Sequence, residues 1–238
     1  MDFTVMTYDI HLGIDGGLEA VAGIVGEADV VALQQVGNDW PEGEAGNQLI
    51  QLSRLSGLGY YRYAAAVTLS PDDPTKRRPA PTPDDRPGFG VALISRFPLG
   101  PWTRHRLPKR KDEQRCILSG TVVTPKGPIS VLATHLSPEQ EDRAVQVGAL
   151  LRHAQTQSSP LMVMGNLNGE ADSPELAPLQ NALRNAAGND PLPSYPANDP
   201  QHAFDHIYLS KEFEILSPAM PLPLTGSNHL PVMGRVSL

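Results

Sequence analysis

PLMVMGNLN (160–168) is a short apolar run that stops on two asparagines, Asn166 and Asn168. It is too short for a buried helix and is bounded by proline and glycine, so it reads as a strand covered on both faces. The pattern recurs. ADVVALQQV (28–36) is apolar until Gln34 and Gln35, and PISVLATHL (128–136) until Thr134 and His135. FTVMTYD, from Phe3, alternates as a strand does and runs into Asp9, with His11 just beyond. Buried strands that all turn polar at one end line those residues along one edge of a sheet, which is where α/β sheets present a site.

The segments between them supply covering layers. LEAVAGIVG (18–26) reads as a short helix after Gly16-Gly17, and GEAGNQLIQLSRLSGLG (43–59) carries apolar residues at helical spacing with a glycine stop. PEQEDRAVQVGALLRHAQTQ (138–157) is amphipathic, with acids in its first turn where they suit the helix dipole. SPELAPLQNALRNAAG (173–188) is expected to start a helix with Ser173 as N-cap and Pro174 first inside it. YYRYAAAV, FGVALISRFPL, WTRHRL, RCILSGTVVT, FDHIYLS, EFEILSPAM and PVMGRVSL read as strands. Consecutive strands in this number predict layered α/β with mixed sheets. SPDDPTKRRPAPTPDDRPG (70–88), with six prolines, reads as an extended irregular loop inside a single domain spanning 1–238.

Composition excludes several classes. The 238 residues are 40% hydrophobic and 19% charged, an ordinary globular balance. A single cysteine, Cys116, rules out a disulfide framework and a cysteine-rich zinc site. No apolar run reaches the length of a membrane span and the N-terminus lacks a signal-peptide pattern, so a cytoplasmic protein is expected. Neither a glycine-rich phosphate loop nor a serine nucleophile elbow is present. Net charge is −7, yet residues 76–115 hold eleven basic residues against four acids, leaving −14 elsewhere. Most of the surface would repel a long nucleic acid, and one segment would attract it.

TYDIHLG, DVVALQQV, FGVALISRFPL, THL, MVMGNLN, FDHIYLS and SNHLPV stand in the order and spacing of the endonuclease/exonuclease/phosphatase superfamily. The resemblance runs from residue 3 to about 236. It implies a four-layer α/β sandwich of two packed mixed β-sheets with outer helices. It also implies an ancestral Mg²⁺- or Mn²⁺-dependent attack of water on a phosphoester. By the same resemblance, Asp9, Gln35 and Asn228 occupy metal positions. Asn166 and Asn168 occupy those that align and support the attacking water. His229, buttressed by Asp205, and His135 face phosphate, and Arg115 matches an arginine that many members carry.

Four of these positions depart from the family pattern. Gln35, Asn166 and Asn228 are amides where carboxylates are expected, and Asp9 is a carboxylate where an amide is expected. The net loss is two negative charges. A hard cation wants charged oxygens, and an amide cannot accept a proton near neutral pH. The expected consequence is weaker metal binding, weaker hydrolysis, and retained binding of a phosphate-containing ligand, either a small phosphoester or a short nucleic acid reached through the basic segment. The alternative is an active Mg²⁺/Mn²⁺ phosphodiesterase or phosphatase centred on Asp9. Among other residues, His105 and His153 read as surface, His206 as facing away from Asp205, His11 as rim and Asp15 as a turn residue. Trp40 and Tyr195 are the aromatics available to stack on a base, although a lone aromatic is more often packing.

Overall fold

In the computed structural model, which describes residues 1–224 and 226–238, the apolar runs are strands whose alternate residues serve different cores. The strands in chain order are β1 (Asp2–Asp9), β2 (Val30–Asn38), β3 (Tyr60–Leu69), β4 (Arg77–Pro79), β5 (Gly88–Ser95), β6 (Leu99–Arg106) and β7 (Cys116–Thr124). They continue with β8 (Gly127–His135), β9 (Leu161–Asn166), β10 (Arg184–Asn185), β11 (Asp205–Leu209), β12 (Glu214–Pro221) and β13 (Val232–Ser237). The helices are α1 (Gly17–Val25), α2 (Gln48–Ser56), α3 (Gln140–Gln155) and α4 (Ala177–Ala182).

Seven strands form one sheet in the order β12-β13-β1-β2-β5-β3-β4, and six form the other, β10-β11-β9-β8-β7-β6. Both are mixed, because β1 runs parallel to β2 and β8 parallel to β9 while the remaining pairs are antiparallel. The period of two explains the layers. In β2, Val30 and Ala32 face the core between the sheets, where Leu118, Val131 and Met164 meet them. Val31 and Leu33 face the other way, onto Leu18, Val21 and Leu49 of α1 and α2. In β9, Met162 and Met164 face the middle core, while Leu161 and Val163 pack against Val147, Leu150 and Leu179 of α3 and α4. Two sheets face to face with helices outside are the four layers expected.

Two local expectations are corrected. Residues 173–176 form hydrogen-bonded turns, and helix α4 starts only at Ala177, because Leu176 rather than Ser173 opens it. The Pro-rich loop is not wholly irregular, since Arg77–Pro79 pairs antiparallel with Val67–Leu69.

Register places the polar strand ends side by side. His135 lies opposite Asn166, and Asn166 lies opposite Asp205. In the other sheet Asp9 lies opposite Gln34. Gly165 permits the close approach of β9 to β8 here, since a Cβ at that position would sit 2.0 Å from the Thr134 carbonyl oxygen. Gly165→Ala is therefore expected to destabilise by more than about 3 kcal/mol in chemical denaturation, as a forced backbone shift in the core does. Gly23→Ala, on the exposed face of α1 with open space around it, should stabilise by roughly 0.5–1 kcal/mol. Equal effects would show that strand spacing at Gly165 is not constrained.

Candidate functional site

Asp9 closes β1, and its side chain is 0% exposed. Its Oδ1 accepts the backbone N–H of His11 at 3.2 Å. Its Oδ2 accepts Asn166 Nδ2 at 3.0 Å and Gln35 Nε2 at 3.2 Å. Burial alone would raise the Asp9 pKa, but His135, His229, the Asn166 amide and the His11 N–H outweigh it and lower the pKa. Gln35 reaches this position from an irregularity in β2, between Gln34 and Val36, where its φ is 52°. Such a bulge re-aims one side chain out of the ladder. The orientation of Asn166 is dictated by its surroundings. Its Oδ1 accepts the Asn168 backbone N–H at 2.9 Å, so its Nδ2 must face Asp9.

His135 meets Arg115 Nη1 at 3.1 Å through Nδ1. A guanidinium only donates, so Nδ1 accepts and Nε2 carries the ring proton. Burial, then the Arg115 charge, pushes the His135 pKa down to about 3, and the ring is neutral. Asn168 Nδ2 donates to the Leu136 carbonyl at 2.8 Å and lies 3.2 Å from His135 Nε2. Two donors thus lie 3.2 Å apart, and Asp9 Oδ2 lies 3.7 Å from His135 Nε2.

His229 behaves oppositely. Its Nδ1 lies 2.8 Å from Asp205 Oδ2, which also accepts the Ser194 hydroxyl at 2.6 Å. Burial opposes charge on the ring, but Asp205, with Asp9 and Asp15 behind it, outweighs burial and raises the pKa to about 9. His229 is an imidazolium at neutral pH, and Tyr195 packs against its ring at 4.5 Å between centroids.

These groups surround a cavity of about 460 Å³ lined by Arg115, His135, Asn166, Asn168, Asn228 and His229 among others. Asp9 and Asp205 lie behind its wall. A cationic imidazolium, a neutral imidazole and three asparagine side chains face one space, with the Arg115 guanidinium held beside it by His135, Asp112 and Glu113.

The comparisons agree with this architecture. A family profile described as Endonuclease/Exonuclease/phosphatase family matches residues 6–229. The chain belongs to this family. Among solved structures, an endonuclease/exonuclease/phosphatase from Beutenbergia cavernae is similar at 22% identity and a TM-score of 0.77, over 100% of this chain and 72% of that one. A mannosyl-6-phosphatase from Bacteroides thetaiotaomicron is similar at 13% identity and 0.73, over 99% and 100%. The human Nocturnin catalytic domain, solved with a bound sulfate anion, is similar at 20% identity and 0.67, over 99% and 94%. No curated protein sequence matches the chain.

Endonuclease/exonuclease/phosphatase proteins generally depend on a divalent metal, so the donor set must be compared with that need. Of the three expected metal positions, Asp9 supplies the one carboxylate, and it is sealed behind the wall with three N–H donors already upon it. Asn166 turns an N–H rather than an oxygen toward it. Asn228 lines the cavity and its backbone N–H donates to Asp15 at 2.9 Å. Among the described residues no three His, Cys, Asp or Glu side chains are grouped to hold a metal ion. Hard cations need charged oxygens that are free to coordinate, so these residues do not fit Mg²⁺ or Mn²⁺.

The expected contribution of the basic segment 76–115 is largely corrected. Only Arg77 and Arg115 of it line the cavity. Arg104 and Arg106 donate to backbone carbonyls of the Pro-rich loop at Ala80 and Pro81. Arg78 donates to Leu69 O, Arg96 pairs with Asp29, Lys76 with Asp73, Arg86 with Asp39 and Lys111 with Glu141. Trp40 is core, packed edge-on against Phe89. His11 lines the cavity and bonds Asp15 at 2.8 Å. His206 turns to the Gly169 carbonyl at 2.8 Å, and His105 stacks on His153 away from the cavity. Glu42, Glu113 and Ser194 were not anticipated. Only the spacing of Asp112 and Glu113 before Arg115 offered a signal for one of them.

The raised pKa of His229 predicts a pH dependence. Proton binding is tighter in the folded than in the unfolded state, so the contribution is complete below the unfolded pKa of about 6.5 and disappears as pH rises through about 9. Tm should therefore fall between pH 7 and pH 9.5, and Asp205→Asn, which removes the principal partner of the ring, should flatten that fall. An unchanged slope in Asp205→Asn would show that the ring is not held charged by this carboxylate.

Proposed function

We propose that the cavity binds the phosphate group of a phosphate-bearing ligand without a divalent metal, and that the metal-assisted hydrolysis of the family is lost in this chain. One observation carries this reading. The Asn166 amide is pinned by the Asn168 N–H and offers a donor at the position where the family resemblance requires a carboxylate to orient water. An amide there neither accepts a proton nor adds charge to a metal site. The remaining groups favour an anion: His229 is charged and His135 carries its ring proton on Nε2, while Arg115, which fixes that tautomer, is itself paired with Asp112 and Glu113. The sulfate in the Nocturnin structure is a tetrahedral oxyanion of the same shape.

Titration calorimetry of inorganic phosphate in metal-free buffer tests the binding half. Binding is expected, with His229→Ala about tenfold weaker or more, the cost of one charge-assisted hydrogen bond. Undiminished binding by His229→Ala would refute the assignment. Calorimetry of Mg²⁺ and Mn²⁺, with bis-p-nitrophenyl phosphate turnover on the same sample, tests the catalytic half. The expected result is no metal heat and no turnover.

A second reading, an active Mg²⁺ or Mn²⁺ phosphodiesterase or phosphatase using Asp9, Gln35 and Asn228, draws on the ionised state of Asp9. Metal affinity tighter than millimolar with metal-dependent turnover would establish it. Under the first reading, the double variant Gln35→Glu with Asn166→Asp should acquire metal-dependent turnover. A folded double variant without any gain would overturn the account of the loss.

A further inference from the structure

Resting on the anion-site reading just given, the geometry points to a ligand class: a single phosphate monoester with a compact, uncharged remainder, selected at a cavity mouth that Arg77, Glu42 and Glu113 build. The mouth is a clamp. Arg77 comes from the short β4 strand of the Pro-rich loop, and its guanidinium lies 5.4 Å from the ring centroids of both Trp40 and Phe89. Its Nη1 donates to Glu113 Oε2 at 3.1 Å, and its Nη2 donates to Glu42 at 3.1 and 3.2 Å. Three chain segments, around 42, 77 and 113, are thereby held together. All three residues line the cavity.

The charges at the mouth decide what enters. Both terminal nitrogens of Arg77 are engaged by carboxylates, so the clamp presents no free cation to a second phosphate. The Glu42 side chain is 58% exposed, and a backbone phosphate passing it meets like charge within a Debye length. A nucleic acid would need a track of cations for its flanking phosphates. Of the rest of the basic segment, Arg104 and Arg106 bond carbonyls and Arg96 a carboxylate elsewhere, and among the described residues no cation of it other than Arg77 and Arg115 lines the cavity.

Inside the mouth, the groups suited to an oxyanion suffice for one phosphate: His135, Asn168 and His229, with Arg115 held against His135, Asp112 and Glu113. The remaining wall mixes the side chains of Gln35, Asn166 and Asn228 with Ile14, Phe89, Tyr195 and Phe204. Apolar and aromatic faces of this kind suit an uncharged ring. A cavity of about 460 Å³ lies toward the small end of ligand pockets, which run from roughly 300 to 1,000 Å³. It has room for a phosphate and one ring-sized group.

Equilibrium binding in metal-free buffer tests this with four probes: inorganic phosphate, glucose 6-phosphate, glucose 1,6-bisphosphate and tetrathymidylate. Glucose 6-phosphate is expected to bind at least about fivefold tighter than inorganic phosphate, about 1 kcal/mol from ring contacts. The bisphosphate should fall within about twofold of the monophosphate, and tetrathymidylate should bind at least about tenfold more weakly than the monophosphate. Glu42→Lys, which reverses one exposed rim charge, should raise tetrathymidylate affinity about threefold or more at low salt. Tetrathymidylate or the bisphosphate binding tighter than the monophosphate, or no gain from Glu42→Lys, would overturn the selection while leaving the anion site standing. Failure of all four probes to bind would overturn the anion site itself.

Discussion

A fully buried carboxylate is the constraint around which this site is organised. An ionised Asp9 without partners would carry a desolvation cost of several kcal/mol. The fold meets it with donors from three places: the His11 backbone just past β1, the bulged Gln35 of β2, and Asn166 of the opposite sheet. The last of these is a hydrogen bond across the two sheets, so the register of β1 against β9 is tied to the satisfaction of one charge. Asp9, Gln35 and Asn166 thus form one arrangement. An amide at 166 leaves an N–H to be accepted, and a carboxylate at 9 accepts it.

Two buried histidines on the same cavity are driven to opposite charge states by their neighbours. His135 faces a guanidinium and is neutral, while His229 faces Asp205 and is cationic. Burial acts on both in the same direction, so the partner decides. The outcome is a cavity wall that presents N–H groups from both rings, one of them charged. The proposed anion binding and the proposed loss of metal binding both rest on these same contacts.

The basic segment shows how a charge count misleads. Eleven basic residues between 76 and 115 suggested an electropositive face. In the fold, Arg104 and Arg106 donate to carbonyls of a proline-rich loop. Proline leaves carbonyl acceptors in excess of N–H donors, and long arginine side chains supply what the backbone lacks. Much of the charge therefore organises the loop that supports the cavity mouth.

The sequence by itself determined the layers and which polar residues gather at one sheet edge. Apolar runs that switch to polar residues at one end specified buried strands and put Asp9, Gln35, His135, Asn166 and Asn168 along one edge, while Asp205 and His229 were legible only through the family resemblance. Periodicity sufficed because side-chain direction alternates locally along a strand. Tertiary structure alone decided which atoms of those residues face one another. The orientation of the Asn166 amide depends on the Asn168 N–H, the charge of each histidine depends on a partner distant in sequence, and Arg77 meets Glu42 and Glu113 only after three loops converge. Helix α4 starts later than its capping residues suggested, since packing of Leu176 and Leu179 under β9 and β11 outweighs a local cap. Hydrogen-bond direction and ionisation are properties of an assembled neighbourhood, and that neighbourhood is made by contacts that no linear pattern carries.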